Sequence, residues 1–262
     1  MNIIVCVKQV PDTNEVKIDP EKGTLIREGV PSILNPDDQS ALEEALRIKD
    51  ENTDTKVTVL TMGPPQAEEV LIEAISMGAD EGVLLCDKAF AGADTWATSN
   101  TLAKAIENIG DYDLVFCGRQ AIDGDTAQVG PQIAERLGLP QVTYVKEFDI
   151  KDDKVTVKRS LEDGYETIEV EKPALFTAIE ELNKPRYPYI DKIFDAYREK
   201  KIKVWSNDEL QIEKSELGLD GSPTQVKRTF TPDKKKEGEM IEGSPREQAK
   251  TLLVKLKSRN VI

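Results

Sequence analysis

Strand-like and helix-like segments alternate along the first half of this chain, and the alternation limits the folds that it can adopt. Runs rich in β-branched residues, such as Ile3–Val10 and Lys56–Met62, are followed by segments with helical spacing of apolar residues, such as Asp37–Lys49. The alternation repeats four times within residues 1–137. It predicts an α/β fold with a doubly wound, mostly parallel sheet. A short hairpin, Val16–Arg27, is predicted after the first strand.

The pattern changes in the second half of the chain. Three strand-like runs separated by acidic turns, Val142–Ile150, Lys154–Ser160 and Tyr165–Val170, predict an antiparallel extension of the sheet. Later the density of apolar residues falls. We therefore predict an α/β domain over residues 1–205, followed by a C-terminal arm and a final helix over residues 206–262.

The composition excludes several classes of function. The formal net charge is −14, so a general nucleic-acid binder is not expected. No apolar run is long enough to cross a bilayer, and Met1 opens onto a strand-like segment rather than a signal peptide. We expect a cytoplasmic protein that binds no nucleic acid and does not insert into a membrane.

The sequence contains no histidine and three cysteines, Cys6, Cys86 and Cys117. The lack of histidine excludes Ser–His–Asp and Cys–His catalysis within this chain, and every histidine metal site. Each cysteine lies in an apolar run without a C-x-x-C partner, which favours buried thiols over a metal site. Any chemistry must therefore use carboxylates, backbone donors or a bound cofactor.

Special backbone residues are densest in Leu114–Leu137, where an apolar strand, a glycine-bearing loop and an amphipathic run follow one another. This geometry gathers free backbone N–H groups around an anion. We predict that Asp125 caps the helix, with Gln128 as its capping-box partner. Because the P-loop lysine and the G-x-G-x-x-G spacing are both missing, an NTP-hydrolysing motor is excluded. A loop with a purely structural role remains the alternative.

Two other segments and one arginine would lie at the same edge of such a sheet. Asn35–Asp38 is typical of a helix start, with Asn35 as cap and Pro36 in the first position, and it could also reach a nucleotide. The small residues of Phe90–Thr95 would let a flat ring approach the backbone. Arg119, if it is not simply a surface residue, could stabilise a reduced, anionic ring.

Short motifs give the chain a family resemblance. In order, they are Val5–Asp12 (VCVKQVPD), Leu34–Asp38 (LNPDD), Met62–Gln66 (MGPPQ), Ser76–Asp80 (SMGAD), Gly118–Asp123 (GRQAID) and Leu182–Tyr187 (LNKPRY). With these motifs the sequence resembles the β subunit of electron-transfer flavoproteins over essentially its whole length.

The resemblance implies an adenine-nucleotide α-hydrolase-like sheet and an obligate partner, the FAD-binding α subunit, which the C-terminal arm would wrap. It implies no catalytic side chain and no metal ligand, since the flavin carries the chemistry. The implied cofactor-binding positions are Cys6, Asn35, Pro36, Asp37, Asp38, Met62, Ala91, Asp94, Thr95, Gly118, Arg119, Gln120, Ala121, Ile122, Asp123, Gly124, Asp125, Thr126, Ala127, Gln128 and Val129. The positions implied for docking on acyl-CoA dehydrogenases are Asn183, Pro185, Arg186, Tyr187 and Ile190.

The family has two branches. In one, this subunit holds a structural AMP; in the other, it holds a second FAD that accepts a hydride from NADH and bifurcates the electrons. Residues Asp123–Pro131 and Phe90–Thr95 resemble the bifurcating branch. One electron would pass to the α-subunit FAD and on to an acyl-CoA dehydrogenase or similar flavoenzyme, and the other to ferredoxin or flavodoxin. The alternatives are the AMP-holding subunit and an unrelated ATP- or AMP-binding sensor on a similar sheet.

Overall fold

The computed structural model describes residues 1–12, 31–199, 201–227 and 238–262. The chain forms two compact units, Met1–Lys227 and Arg228–Ile262. The predicted hairpin Val16–Arg27 lies outside the described residues, and so do residues 228–237 of the predicted arm.

The first unit contains a nine-stranded sheet and a two-stranded sheet. The strands are β1 (Asn2–Cys6), β2 (Gln9–Pro11), β3 (Ser32–Leu34), β4 (Lys56–Met62), β5 (Glu81–Leu85), β6 (Leu114–Gly118), β7 (Gln141–Lys151), β8 (Lys154–Leu161), β9 (Gly164–Glu171), β10 (Ala174–Ala178) and β11 (Ile202–Trp205). Its α-helices are α1 (Pro36–Glu51), α2 (Glu68–Met77), α3 (Thr95–Ile109), α4 (Val129–Leu137), α5 (Ile190–Glu199) and α6 (Asn207–Leu210). In the second unit, α7 spans Pro245–Ser258.

The strand order in the large sheet is β11–β5–β4–β1–β6–β10–β7–β8–β9. All neighbouring pairs from β11 to β7 are parallel, and β8 and β9 add antiparallel pairs at one edge. The predicted doubly wound, mostly parallel sheet with an antiparallel extension is therefore confirmed. In sheets of this kind, ligands bind beyond the carboxyl ends of the strands.

Two apolar layers stabilise the sheet, because its central strands bury side chains on both faces. In β1, Ile3 belongs to a buried cluster that contains Leu42 of α1 and Leu71 of α2. The next residue, Ile4, belongs to a second cluster that contains Ile106 of α3 and Ile133 of α4. Successive side chains of β1 thus separate the helices between the two faces of the sheet.

The predicted strand Ile3–Val10 is wrong in its extent. β1 ends at Cys6, and β2 pairs in antiparallel fashion with β3. The backbone leaves the large sheet at Lys8, whose N–H donates to Asp38 Oδ2 at 2.8 Å and whose carbonyl accepts from Asn35 N at 3.0 Å. Partners at the start of α1 replace the ladder partners that a longer strand would have.

The edge strand β11 is not predicted by the sequence pattern. It pairs in parallel with β5, with Ile202 opposite Gly82. Lys203 and Val204 are exposed in it. A short strand at an edge lacks the continuous apolar run by which buried parallel strands are recognised.

The first unit extends beyond the predicted boundary at residue 205. Leu210, Leu217 and Ser222 are buried, so residues 206–222 pack as part of this unit, and the arm that wraps a partner stays a prediction. Side-chain burial of this kind depends on the tertiary structure, because the composition of the segment is mostly polar.

In the second unit, α7 begins with the predicted capping box. Glu247 accepts hydrogen bonds from Ser244 N at 2.8 Å and from Ser244 Oγ at 2.6 Å. The apolar side chains Leu252, Leu253 and Val254 are all exposed. No helix within the described ranges combines the length and apolar character that crossing a bilayer requires.

Candidate functional site

The carboxyl ends of three neighbouring strands define the candidate site. β1 ends at Cys6, β4 at Met62 and β6 at Gly118, and β1 pairs with both of the other strands. These ends therefore lie side by side, at the edge where doubly wound sheets bind ligands.

The carboxylate of Asp38 joins the chain after β1 to the end of β6. It accepts hydrogen bonds from Lys8 N at 2.8 Å and from Gly118 N at 2.9 Å. Burial raises the pKa of Asp38 to about 7, although hydrogen bonds with Asn35, Lys8 and Gly118 favour the ionised form. A Cβ atom on Gly118 would collide with Asp38 Oδ1, so this position requires glycine.

The side chain of Asn35 links the start of α1 to the loop after β6. Its Nδ2 donates to Gln120 O at 2.8 Å, and its Oδ1 accepts from Ile122 N at 3.1 Å. Asn35 occupies the predicted N-cap position of α1, with Pro36 next, but its side chain makes no capping hydrogen bond. The side chain instead brings two of the predicted cofactor-binding segments together.

The loop before α4 has the geometry of an anion-binding site, and we call residues 124–130 the anion cradle. Asp125 and Ala127 have left-handed φ angles of 48° and 52°, which are uncommon for residues other than glycine. The backbone N–H groups of residues 126–130 have no acceptor among the residues that the structure describes. Such donors at a helix N-terminus, after a turn of alternating backbone conformation, favour a phosphate.

The prediction that Asp125 caps α4 is wrong. The N-cap residue is Gln128, and no side chain caps the helix. Asp125 Oδ1 instead accepts a hydrogen bond from Gln120 Nε2 at 2.9 Å. The first N–H groups of α4 consequently stay open to a ligand, whereas a capping carboxylate would have occupied one of them.

Asp94 braces the second predicted loop, Phe90–Thr95. Its Oδ1 caps α3 by accepting from Trp96 N at 2.9 Å and Ala97 N at 3.1 Å. Its Oδ2 accepts from Thr224 N at 2.9 Å and Thr224 Oγ1 at 2.7 Å. Burial alone would raise the pKa of Asp94, but these hydrogen bonds outweigh it and lower the pKa. The carboxylate is engaged within the protein, and its role toward a cofactor stays a prediction.

The loop that contains Ala91 and Thr95 also contacts the anion cradle. Thr95 Oγ1 donates to Gln128 Oε1 at 2.9 Å. On its other side the loop is fixed by Leu219, whose N–H donates to Ala91 O at 3.1 Å. Hydrogen bonds therefore connect predicted cofactor-binding residues from distant parts of the chain.

Lys8 lies at the sheet edge where the sequence pattern places residues 6–8, but its role as the partner of Asp123 is not predicted by the sequence. Its Nζ lies 2.6 Å from Asp123 Oδ1, and the Asp123 side chain is only 6% exposed. The lysine compensates a carboxylate next to the anion cradle that would otherwise repel a phosphate. The only signal in the sequence is that Lys8 follows the carboxyl end of the first strand.

Arg119 contacts one predicted residue and one that was not predicted. Its Nε lies 3.2 Å from Asp37 Oδ2, and its Cζ lies 5.9 Å from the centroid of the Tyr144 ring. Burial raises the pKa of Asp37, and Arg119 partly offsets that shift. Tyr144 belongs to β7, and only the tertiary structure brings it to the end of β6.

Two of the cysteines lie beneath the site as buried thiols. Cys6 and Cys117 are register partners in β1 and β6, and both are free. A hydrogen bond with Cys6, together with burial, raises the pKa of Cys117. Cys117 is therefore a neutral thiol, and its burial agrees with the predicted buried thiols. Cys86 is only partly buried.

Two of the predicted docking residues are bonded to α1, and the other three are partly or fully exposed. Asn183 Nδ2 donates to Glu44 Oε2 at 3.0 Å, and Arg186 Nε donates to Glu43 Oε2 at 2.8 Å, so both side chains are tied to α1. Tyr187 is 90% exposed. The remaining two are Pro185, which is half-buried, and Ile190, which is exposed.

Comparisons with known proteins agree with this geometry. The family model described as "Electron transfer flavoprotein domain" matches residues 22–210. The electron transfer flavoprotein subunit beta of Thermoanaerobacterium thermosaccharolyticum is 62% identical over 262 residues, 100% of both chains. The caffeyl-CoA reductase-Etf complex subunit CarD of Acetobacterium woodii is 59% identical over 263 residues, 100% of both chains. The acryloyl-CoA reductase electron transfer subunit gamma of Anaerotignum propionicum is 51% identical over 270 residues, again 100% of both chains.

The family model covers most of the chain, and each of these relatives matches it from end to end. The sequence motifs, the doubly wound sheet and the phosphate-compatible cradle agree with that match. This chain therefore belongs to the electron transfer flavoprotein family, as one of its β subunits.

Proposed function

We propose that this chain pairs with an FAD-binding α subunit in a bifurcating electron-transfer flavoprotein, and that its own anion cradle holds FAD. The observation that carries the nucleotide site is the open N-terminus of α4, where the N–H groups of residues 126–130 lack acceptors in the described part of the chain. The pyrophosphate of a dinucleotide supplies such acceptors. The resemblance of Asp123–Pro131 and Phe90–Thr95 to the bifurcating branch favours FAD over AMP there.

The charges around the cradle support a phosphate ligand, although several aspartates lie nearby. Two of these carboxylates are paired with a cation, which reduces their repulsion of a phosphate, and the other two accept hydrogen bonds from neutral protein donors. The pairs are Asp37 with Arg119, Asp94 with Thr224, Asp123 with Lys8 and Asp125 with Gln120.

When bound, FAD supplies the redox chemistry, which is hydride acceptance from NADH and separate transfer of the two electrons to ferredoxin or flavodoxin and, through the α-subunit FAD, to an acyl-CoA dehydrogenase or similar flavoenzyme. The residues of this chain bind and orient the cofactor. No side chain has to act as a general acid or base, which agrees with the absence of histidine. We propose the cytoplasm as the compartment.

The names of two relatives and the exposed apolar side chains of this chain support the proposed partners. Two relatives are named as parts of a caffeyl-CoA reductase complex and an acryloyl-CoA reductase, which supports an acyl-CoA dehydrogenase-type partner. Tyr187 and Ile190 expose apolar surface that such a partner can cover. The exposed leucines of α7, Leu252 and Leu253, support an arm that packs on the α subunit.

A simple electron carrier, in which this subunit holds AMP, is the second candidate. The same run of N–H groups in residues 126–130 would accept a monophosphate. The family match sets aside the unrelated nucleotide sensor.

The test is to purify the complex of this chain with its α subunit, denature it, and quantify released FAD and AMP. The proposal expects two FAD and no AMP per αβ pair. One FAD and one AMP would support the carrier instead, and one FAD without any second nucleotide would contradict both.

A charge variant tests the position of the phosphate. A Cβ atom added at Gly124 meets nothing within 4 Å, so the side chains of Gly124→Glu and Gly124→Gln both start into open space. If the phosphate lies in the cradle, Gly124→Glu weakens nucleotide binding by about fivefold more than Gly124→Gln, since like charges about 4 Å apart repel by roughly 1 kcal/mol in water. Equal affinities of the two variants would place the phosphate elsewhere.

A further inference from the structure

Arg119 stands in a fixed position at the carboxyl edge of the sheet. Its backbone N–H donates to Ala178 O at 2.8 Å, so the residue is held between the ends of β6 and β10. Its side chain is 35% exposed. An arginine fixed in this way presents its charge at the edge where the ligand binds.

Among the residues that the structure describes, the guanidinium of Arg119 lies beside the Asp37 carboxylate and the Tyr144 ring. Nε lies 3.2 Å from Asp37 Oδ2, without the alignment of a hydrogen bond. The terminal nitrogens Nη1 and Nη2 donate no hydrogen bond to any residue that the structure describes, and the closest approach to the Asp37 carboxylate is made by Nε. The planar fork of an arginine has four N–H donors on these two nitrogens, so the group is ready to donate to a ligand.

Tyr144 lies next to Arg119 because of an irregularity in β7. Its φ angle is +57°, a left-handed conformation that is strained for a bulky residue. The pairing register of β7 with β10 shifts between Phe176 and Ala178, and Tyr144 N donates to the buried Thr177 Oγ1 at 3.1 Å. Backbone strain of this kind is concentrated at functional sites, and Tyr144 lies near the carboxyl edge of the sheet, where ligands bind.

The result of this irregularity is a contact between an aromatic ring and a cation. Arg119 Cζ lies 5.9 Å from the centroid of the Tyr144 ring, and the ring is 37% exposed. The ring and the Asp37 carboxylate together restrict the guanidinium, since one attracts its face and the other its Nε.

We infer that Tyr144 is a positioning residue, which with Asp37 holds Arg119 so that its free nitrogens donate to acceptor atoms of the electron-accepting ring of the bound cofactor. The inference rests on the proposed function, namely that the cradle holds FAD. The phosphate already has its donors in residues 126–130, and the remaining part of the ligand that gains negative charge on reduction is the ring. A cation such as Arg119, held beside that ring, stabilises the reduced form of the cofactor relative to the oxidised form.

The test is a spectroelectrochemical titration of the purified αβ complex, with the α-subunit flavin as an internal reference. Arg119→Gln is expected to weaken binding of the reduced cofactor about tenfold relative to the oxidised one, which lowers its two-electron potential by about 30 mV. Tyr144→Leu shifts the potential in the same direction by about half as much, roughly threefold in relative affinity. Tyr144→Phe keeps the ring and the wild-type potential.

Tyr144→Asn distinguishes the effect of losing the aromatic contact with Arg119 from the effect of the left-handed backbone at residue 144. Asparagine tolerates the left-handed conformation, so this variant folds without the aromatic contact. It is expected to shift the potential as Tyr144→Leu does, while its thermal stability stays at or above that of the wild type.

The outcomes distinguish the inference from the function on which it rests. Two flavins in the wild type and unchanged potentials in Tyr144→Leu, Tyr144→Asn and Arg119→Gln would overturn the inference and leave the function intact. Equal weakening of oxidised and reduced cofactor, with the potential unchanged, would place Arg119 on the phosphate or ribose and also overturn it. A wild type with one flavin and one AMP would overturn both.

Discussion

The carboxylate of Asp38 accepts a hydrogen bond from the backbone N–H of Gly118 at 2.9 Å, and this bond fastens the first turn of α1 to the end of β6. Asp38 is at the same time bonded to Lys8 N after β1. A single buried side chain thus fixes three parts of the candidate site relative to one another, and the contact determines what each of these positions tolerates.

Gly118→Ala is expected to destabilise the protein by about 2–3 kcal/mol, because overpacking at a buried site forces side chains or backbone to shift. The added Cβ would meet Asp38 Oδ1, Asp38 N and the Asp37 carbonyl carbon, and backbone atoms cannot move aside cheaply. Urea unfolding measures the change. Gly124→Ala is the control, since nothing lies within 4 Å of its Cβ, and an equal loss in that variant would contradict the explanation.

The buried Asp38 carboxyl makes stability depend on pH. Its pKa is raised from 3.8 to about 7, so the folded state binds the proton more tightly than the unfolded state. The resulting stabilisation is fully present below about pH 4 and is lost as the pH rises through 7. Relative to Asp38→Asn, the wild type should lose about 1 kcal/mol of unfolding free energy per pH unit between about pH 5 and 7.

Unfolding of both proteins by urea at several pH values measures this difference. Other groups with raised pKa values, such as Glu44 and Glu73, are present in both proteins, and their contributions largely cancel. A stability difference that is the same at pH 5 and pH 7 would show that Asp38 does not change its protonation on folding.

Asp94→Ala is expected to loosen both the Phe90–Thr95 loop and the segment that contains Ser222 and Thr224. The variant loses the cap of α3, worth about 1 kcal/mol, and both bonds from Thr224. Hydrogen exchange should accelerate in both segments. Thr224→Val removes only the Oγ1 bond and should have a smaller effect, and exchange confined to the start of α3 would refute the proposed brace.

Arg186→Gln is expected to cost about 3 kcal/mol, because it leaves the buried Glu43 without its cation. Exchange of residues 183–190 should rise, since the bonds from Arg186 to Glu43 and Asp50 hold that segment on α1. Tyr187→Ala is the matched surface variant. It should change stability by less than about 0.5 kcal/mol, and weaken binding to an acyl-CoA dehydrogenase in surface plasmon resonance if the docking proposal is right.

The alternation of apolar runs was sufficient to predict the sheet and its antiparallel extension. Parallel strands are buried on both faces and are therefore rich in β-branched and apolar residues. A run such as Lys56–Met62 can be recognised as a strand from this composition alone. The edge strand β11 depends on its pairing with β5, where Ile202 lies opposite Gly82, and the early end of β1 depends on the bond from Lys8 to Asp38. The local sequence pattern does not predict contacts with such distant residues.

The sequence by itself determined the fold class, the family and the segments that form the candidate site, because these follow from local periodicity and short motifs. Only the tertiary structure decided what each side chain does. It left the N-terminus of α4 open by turning Asp125 toward Gln120, engaged Asp94 with Thr224, and set Tyr144 beside Arg119. The bond between Asp125 and Gln120 lies within one loop and depends on the left-handed backbone at Asp125. The other two relationships join residues far apart in the chain, and the packing of the sheet and its loops is what brings them together.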